Sequence, residues 1–286
     1  MEGKKKVLTR EKEERRNMLL DGVLAFFLAE RPKTPCPSSV EERRKLLRAL
    51  LNTREVLPIP EEVQNALDEL LQLESREKGV VCTENLPNVR SALGSVLPHT
   101  DRMILWKGDI TRLNAEAIVN AANSAMLGCF LPLHNCIDNV IHSAAGPRLR
   151  QACHDMMLAE YPDGTWREPV GHARATAGFN LPCRYVFHTV GPVVQASVTE
   201  RERSLLTSCY TSCLNLAFEK SCRSLAFCCI STGEFRFPKE EAARIAVSTV
   251  TRWMDEHPEC KVKIIFNVFT EQDNEIYTKL LSGVGR

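Results

Sequence analysis

Net charge is nearly absent from this sequence: 37 Lys and Arg stand against 36 Asp and Glu, a formal charge of +1. A chain so balanced has no basic field to gather nucleic acid non-specifically, so an anionic ligand must be held by local groups. Long hydrophobic runs are missing as well. The most apolar early stretch, Met18 to Ala29, carries Asp21 and is too short to cross a bilayer. The opening, MEGKKKVLTREKEERR, holds no uninterrupted apolar segment and no signal-cleavage pattern. That sets the expectation of a cytoplasmic protein in a reducing, intracellular compartment. There is no CxxC pair, no Walker loop and no GxGxxG fingerprint, so paired zinc knuckles and the common nucleotide motifs are excluded.

Apolar residues and cysteine are present in quantity. The 286 residues are 44% hydrophobic, enough for one large domain or two. Many of the 12 cysteines sit inside apolar runs such as LAFCCIS, where a reduced thiol behaves as a small core hydrophobe. In a reducing compartment such thiols stay free to bind metal.

The chain changes texture near residue 100. Before it, three amphipathic helices are expected. The first is capped by Thr9 and carries Leu19, Leu20, Val23, Phe26 and Phe27; the second follows a Ser39/Glu42 capping box. Pro60 opens the third, with Val63, Leu67, Leu70 and Leu71 on one side. Residues 1–100 thus read as a helical extension packed on a main domain of residues 101–286. In that domain strands are expected at Met103–Trp106, Ala117–Asn120, Tyr185–Val190, Leu225–Ile230 and Val262–Phe269. Helices are expected at Ile137–Ala145, Arg148–Glu160, Arg201–Lys220, Glu240–Met254 and Asn274–Leu281. Strands alternating with helices indicate an α/β sandwich with a largely parallel sheet, whose ligands sit beyond the carboxyl ends of the strands.

The loops after those strands are chemically loaded. In KGDIT, Asp109 offers a carboxylate to an exocyclic amine, or closes an ordinary Asx turn. In NAANS, Asn120 and Asn123 suit vicinal sugar hydroxyls, or cap a turn. In STGEFRFP, Ser231, Thr232 and Gly233 bring hydroxyls and consecutive N–H groups to a strand end, a concavity for phosphate oxygens. Phe235 and Phe237 either cover a ribose or seal the core.

The densest cluster is LGCFLPLHNCID, where Cys129, His134 and Cys136 fall within eight residues. Two thiolates and an imidazole select Zn²⁺, and three protein ligands leave a fourth position for water or substrate. A nucleobase deaminase needs H-x-E, and His134 is followed by Asn135 and Cys136. A cysteine hydrolase would leave the second thiol unexplained. Spacing alone leaves zinc ligands and idle thiols both open. Asp138 either caps the next helix or orients a reacting water. His142, His188, Cys228 and Cys229 read as packed residues.

Taken in order, GDIT, AIVNAANS, CIDNVIHSAAG, GHARATAGFNLPCRYVFHTVGP and ISTGEFRFP resemble the macrodomain family, over roughly residues 103–282. LGCFLPLHNCID and IIFNVFTEQDNEIYTKLL further resemble its zinc-containing branch of protein-ADP-ribose hydrolases, which also carries a helical N-terminal extension. The resemblance implies a three-layer α/β/α sandwich with a mixed, largely parallel sheet. It implies that Asp109 and Ile110 meet the adenine end, that Ser231, Thr232, Gly233, Glu234 and Phe235 wrap the diphosphate, and that Asn123 contacts the distal ribose. Cys129, His134 and Cys136 would then hold zinc, with Asp138 and Asn123 as the catalytic pair. Asn135 and Cys136 stand where glycine-loop macrodomain hydrolases have two glycines, and Arg236 stands where many members have a small residue.

The implied activity is removal of mono-ADP-ribose from protein side chains, favouring Asp or Glu esters, by cleavage of the C1″–O bond. The implied partners are ADP-ribose and ADP-ribosylated proteins; in the related branch some members act beside an ADP-ribosylating sirtuin on a lipoyl-carrier protein. The rival expectation is a non-catalytic reader of ADP-ribose with a structural zinc. A single-stranded nucleic-acid module is a more distant third, opposed by the near-neutral charge.

Overall fold

A computed structural model describes residues 2–283, without the side chains of residues 2–10. Three helices come first: α1 (Glu2–Ala29), α2 (Val40–Thr53) and α3 (Glu61–Lys78). Since α1 begins at Glu2, Thr9 lies inside it and does not cap it. Ser39 does cap α2: its Oγ accepts from the Glu42 amide at 3.2 Å and donates to the Glu42 carboxylate at 2.8 Å. The apolar stripes of the three helices bury a core of their own, with Leu20, Leu24, Phe27, Leu47, Leu67 and Leu70 at its centre.

A short helix α4 (Val89–Leu93) leads into β1 (Met103–Lys107) and β2 (Ala117–Ala122). Val81, Leu86, Val89 and Leu93 pack on the main core, apart from the core of the first three helices. The chain then runs α5 (Ile137–Ala145), α6 (Pro147–Glu160), β3 (Ala173–Ala177), β4 (Tyr185–Val190) and α7 (Glu200–Glu219). It ends with β5 (Ser224–Phe227), α8 (Lys239–Glu256), β6 (Lys263–Val268) and α9 (Glu271–Ser282). The six strands form one sheet in the order β1-β6-β5-β2-β4-β3. Every pairing is parallel except β3 with β4.

Strands β2, β4, β5 and β6 are buried along nearly their whole length, so both sheet faces are covered by helices. This is the expected mixed, largely parallel three-layer sandwich. Two strand expectations need correction. The strand from Leu225 stops at Phe227, and Cys228–Ile230 leave the ladder towards the next loop. No strand is expected from the sequence at β3: its ARATA residues are poor in apolar β-formers, as suits an edge strand that is only partly buried. No helix among the described residues is long and apolar enough to cross a membrane.

Candidate active site

The carboxyl ends of β1, β2 and β5 deliver the three expected loops, with the Cys/His loop joining β2 to α5. At β1, Asp109 caps a 3-10 turn: one carboxylate oxygen accepts from the Thr111 amide at 3.0 Å and its hydroxyl at 2.7 Å. That is the Asx-type geometry, and it leaves the other oxygen for a ligand. The Ile110 side chain is buried in the core, so only its backbone can meet a ligand.

At β2, the two asparagines differ. Asn120 is fully buried, and its amide donates to Asp138 Oδ1 at 2.8 Å and to His188 Nδ1 at 3.1 Å. The expectation that it meets a sugar is therefore corrected: it is an internal brace. Asn123 donates to the Gly128 carbonyl at 3.0 Å and to Asp138 Oδ2 at 3.3 Å, and accepts from the Ala125 amide. Its role as a turn former is realised, and it sits directly against Asp138.

Asp138 does not cap α5. Cys136 takes that position, its Sγ accepting from the Asn139 amide at 3.4 Å, while Asp138 turns inward to a 4% exposed site. Burial pushes its carboxyl up to about 6, against the donation from Asn120 and the field of Arg150. The carboxyl thus titrates near neutrality, where general acid–base groups work best.

The loop from Gly128 to Cys136 has no helix or strand. Gly128 lies at φ +82°, and a Cβ there would come 2.9 Å from the His142 ring. The loop brings one donor atom each from Cys129, His134 and Cys136 within 4.8 Å of one another. His134 Nδ1 lies 3.5 Å from Cys129 Sγ, and its Nε2 faces Glu234 Oε1 at 3.5 Å. Two sulfurs and an imidazole suit Zn²⁺, with an oriented histidine backed by a carboxylate. Burial pushes the Cys136 thiol up to about 12, with the adjacent Cys129 adding to the shift; a bound divalent cation would reverse that preference.

His142, Cys153 and His188 also converge, wholly buried. Both ring nitrogens of His188 are already engaged, by Asn120 and by Thr176 Oγ1 at 2.9 Å, and burial pushes the Cys153 thiol up to about 12. Cys153 and His188 are hydrogen-bonded to each other in the wall behind Asp138, whereas both ring nitrogens of His142 are buried without a hydrogen-bond partner among the described residues.

After β5, the chain turns sharply through Ser231 (φ +65°) and Arg236 (φ +58°). The amides of Arg236 and Phe237 close the turn onto the Gly233 and Ser231 carbonyls, and the Phe235 carbonyl accepts from Val194. Ser231 Oγ is buried without a partner among the described residues, an orphan that a ligand oxygen would satisfy. Thr232 bonds back to the Cys229 carbonyl, and no Cβ would obstruct Gly233. Phe235 is half-buried, whereas Phe237 is buried and seals the core. Glu234, carried as a ligand-loop residue, also reaches across to His134. Sequence reasoning missed that link, as it missed Arg48 and Asn52 of α2, which touch the Cys/His loop; their place on a charged helix face gives no signal.

A mixed, largely parallel sheet with a tight turn and an unpartnered buried Ser231 hydroxyl after β5, and a Cys/His/Cys cluster after β2, defines an α/β sandwich whose candidate site lies at the carboxyl ends of its strands. The Macro domain family matches residues 119–246. A protein of Treponema medium called protein-ADP-ribose hydrolase is 43% identical over 276 residues, 94% of this chain and 98% of its own. One of the same name from Staphylococcus aureus is 40% identical over 86% of this chain and 87% of its own. The crystal structure of the Trypanosoma brucei macrodomain in complex with ADP-ribose is 29% identical, with a TM-score of 0.61 over 82% of this chain and 94% of that one. The chain belongs to the macrodomain family, beside relatives that bear the name protein-ADP-ribose hydrolase.

Proposed function

We propose that the protein is a zinc-dependent hydrolase that frees ADP-ribose from modified protein side chains, Asp and Glu esters foremost. One observation carries this reading: three soft donors lie within 4.8 Å of one another, joined through His134 to Glu234 of the phosphate-shaped loop.

On this reading each residue has a role. The free oxygen of Asp109 and the amides of residues 231–235 hold the ADP portion, so that remote binding energy fixes the reacting end. Cys129, His134 and Cys136 would hold zinc, which supplies a Lewis acid beside the bond being cut. Asn123 faces that end and is held in place by Asp138. Asp138, with its carboxyl near 6, takes a proton from the attacking water; the hydroxyl goes to C1″ and the carboxylate of the acceptor leaves. A reducing compartment suits the proposal, since oxidation of either ligand thiol would destroy the site.

A second reading, a reader of ADP-ribose with a structural zinc, is favoured by the 4% exposure of Asp138 and by the donors already on both its oxygens. Release of ADP-ribose from an Asp/Glu-modified protein separates the two. Cys136→Ala and Asp138→Ala should each slow release by about 10²–10⁴-fold while ADP-ribose affinity survives. Wild-type rates in both variants discard the mechanism, and tight binding with no release by the wild-type chain selects the reader.

A further inference from the structure

We propose that α2 of the helical extension forms the outer wall of the Cys/His loop, with Arg48 and Asn52 as its positioning residues. That the loop holds a cation rests on the function proposed above. That α2 fixes the loop's shape does not.

The loop has no ladder of its own, so its backbone polar groups must find partners elsewhere. Many of those partners lie on or against α2. Arg48 Nη2 donates to the His134 carbonyl at 2.9 Å and to Asn139 Oδ1 at 2.8 Å, and its Nε donates to Ser143 Oγ at 3.2 Å. Asn52, 2% exposed, accepts from the Leu133 amide at 3.1 Å through Oδ1 and donates to Ser143 Oγ at 3.0 Å. Asn139, oriented by Arg48, passes the constraint on: its amide donates to the Leu131 carbonyl at 2.9 Å and the Cys129 carbonyl at 3.4 Å. One guanidinium thus bears on the backbone at two of the three ligand residues.

The other flank is tied as well. Arg150 of α6 donates to the carbonyls of Leu51, Asn52 and Arg54 at the end of α2, at 2.8, 3.1 and 2.6 Å. The same side chain donates to the Leu127 carbonyl at 2.8 Å and stacks 4.4 Å from the Phe130 ring. Between these ties Leu133 is held at φ +58°, a left-handed conformation costing about 1–2 kcal/mol for a residue with a side chain. Such a turn persists only where its surroundings hold it. Leu133 immediately precedes His134, so relaxing it would swing the imidazole away from the two sulfurs.

The test uses the full chain with Arg48→Lys, which keeps the charge and loses the fork, and with Asn52→Ala. Arg44→Ala is the control: it removes the Arg44–Glu74 pair between α2 and α3 and leaves the loop contacts intact. Metal affinity is read by chelator competition, ligand geometry by the visible spectrum of the Co²⁺-loaded protein, and loop order by hydrogen exchange at residues 127–136 in metal-free protein. Both positioning variants should weaken metal affinity by about 10–100-fold, alter the Co²⁺ spectrum and speed exchange at Leu133, with ADP-ribose affinity kept within about twofold. Unchanged exchange and affinity in both, or equal changes in the control, overturns the proposal. Should the wild-type chain take up no metal, the hydrolase reading fails, while exchange at Leu133 still decides this one.

Discussion

His188 lies on β4 with Nδ1 accepting from Asn120 and Nε2 donating to Thr176, while Cys153 and the His142 ring close the space around it. Burial lowers its pKa from 6.5 to about 4, and burial lowers that of His142 as well. The unfolded chain therefore binds protons that the fold refuses, so stability is full above pH 6.5 and is lost as pH falls towards 4. The His188 share is about 3 kcal/mol. Asp138, whose carboxyl is raised to about 6, works in the opposite sense over part of that range, but one carboxyl faces two histidines. Urea midpoints measured from pH 7 to pH 4.5 should fall in the wild type and fall less in His188→Gln; parallel curves would refute the assignment. That Cys129, His134 and Cys136 come together was legible in their closeness along the chain. Asn120 was not: two asparagines three apart look alike, and only the pleat of β2 sends one to Asp138 and His188 within the core.

The periodicity of α5 and β4 marks their full extent, whereas α1 begins at Glu2 rather than after Thr9 and α9 at Glu271 rather than Asn274. β3 was invisible because an edge strand need not be apolar, and its pairing depends on a turn that no pattern announces. That turn needs Gly178. A Cβ there would come 2.1 Å from the Cys183 carbonyl oxygen, an obstacle of main chain that no rotamer change relieves. The Gly178 amide also donates to the Arg184 carbonyl at 2.9 Å, closing β3 onto β4. Gly178→Ala should cost about 1–3 kcal/mol of unfolding free energy, seen as a lower urea midpoint at unchanged slope. A neutral result would show that the two strands meet by another route. The cap of α5 carries the same lesson: Asp138 was the favoured capping type, yet Cys136 holds the position and frees the carboxylate to turn inward.

At the scale of the whole chain a core of ten buried apolar side chains among the described residues belongs to the three leading helices and lies apart from the larger core around the sheet. A core of that size is marginal alone, so the extension draws stability from docking. The seam is largely polar. Asn180 donates to Asp68 of α3 at 2.7 Å and to the Ala145 carbonyl at 3.0 Å, and accepts from Gln72 at 3.1 Å. Arg148 adds an ion pair to Asp68 at 3.1 Å. A greasy seam would tolerate sliding, whereas paired polar groups fix one orientation, the orientation that sets Arg48 and Asn52 against the Cys/His loop. No periodicity in the sequence foretells this, because polar seam residues look like solvated ones. Asn180→Ala strands a buried carbonyl and strips one donor from Asp68, at a cost of about 1–3 kcal/mol. The loss should fall on docking. Hydrogen exchange should rise across α3 and at Leu133, while the amides of β5 and β6 keep the exchange rates of the wild type. A uniform rise across all elements would mean that the two cores unfold as one unit and that the seam orients nothing.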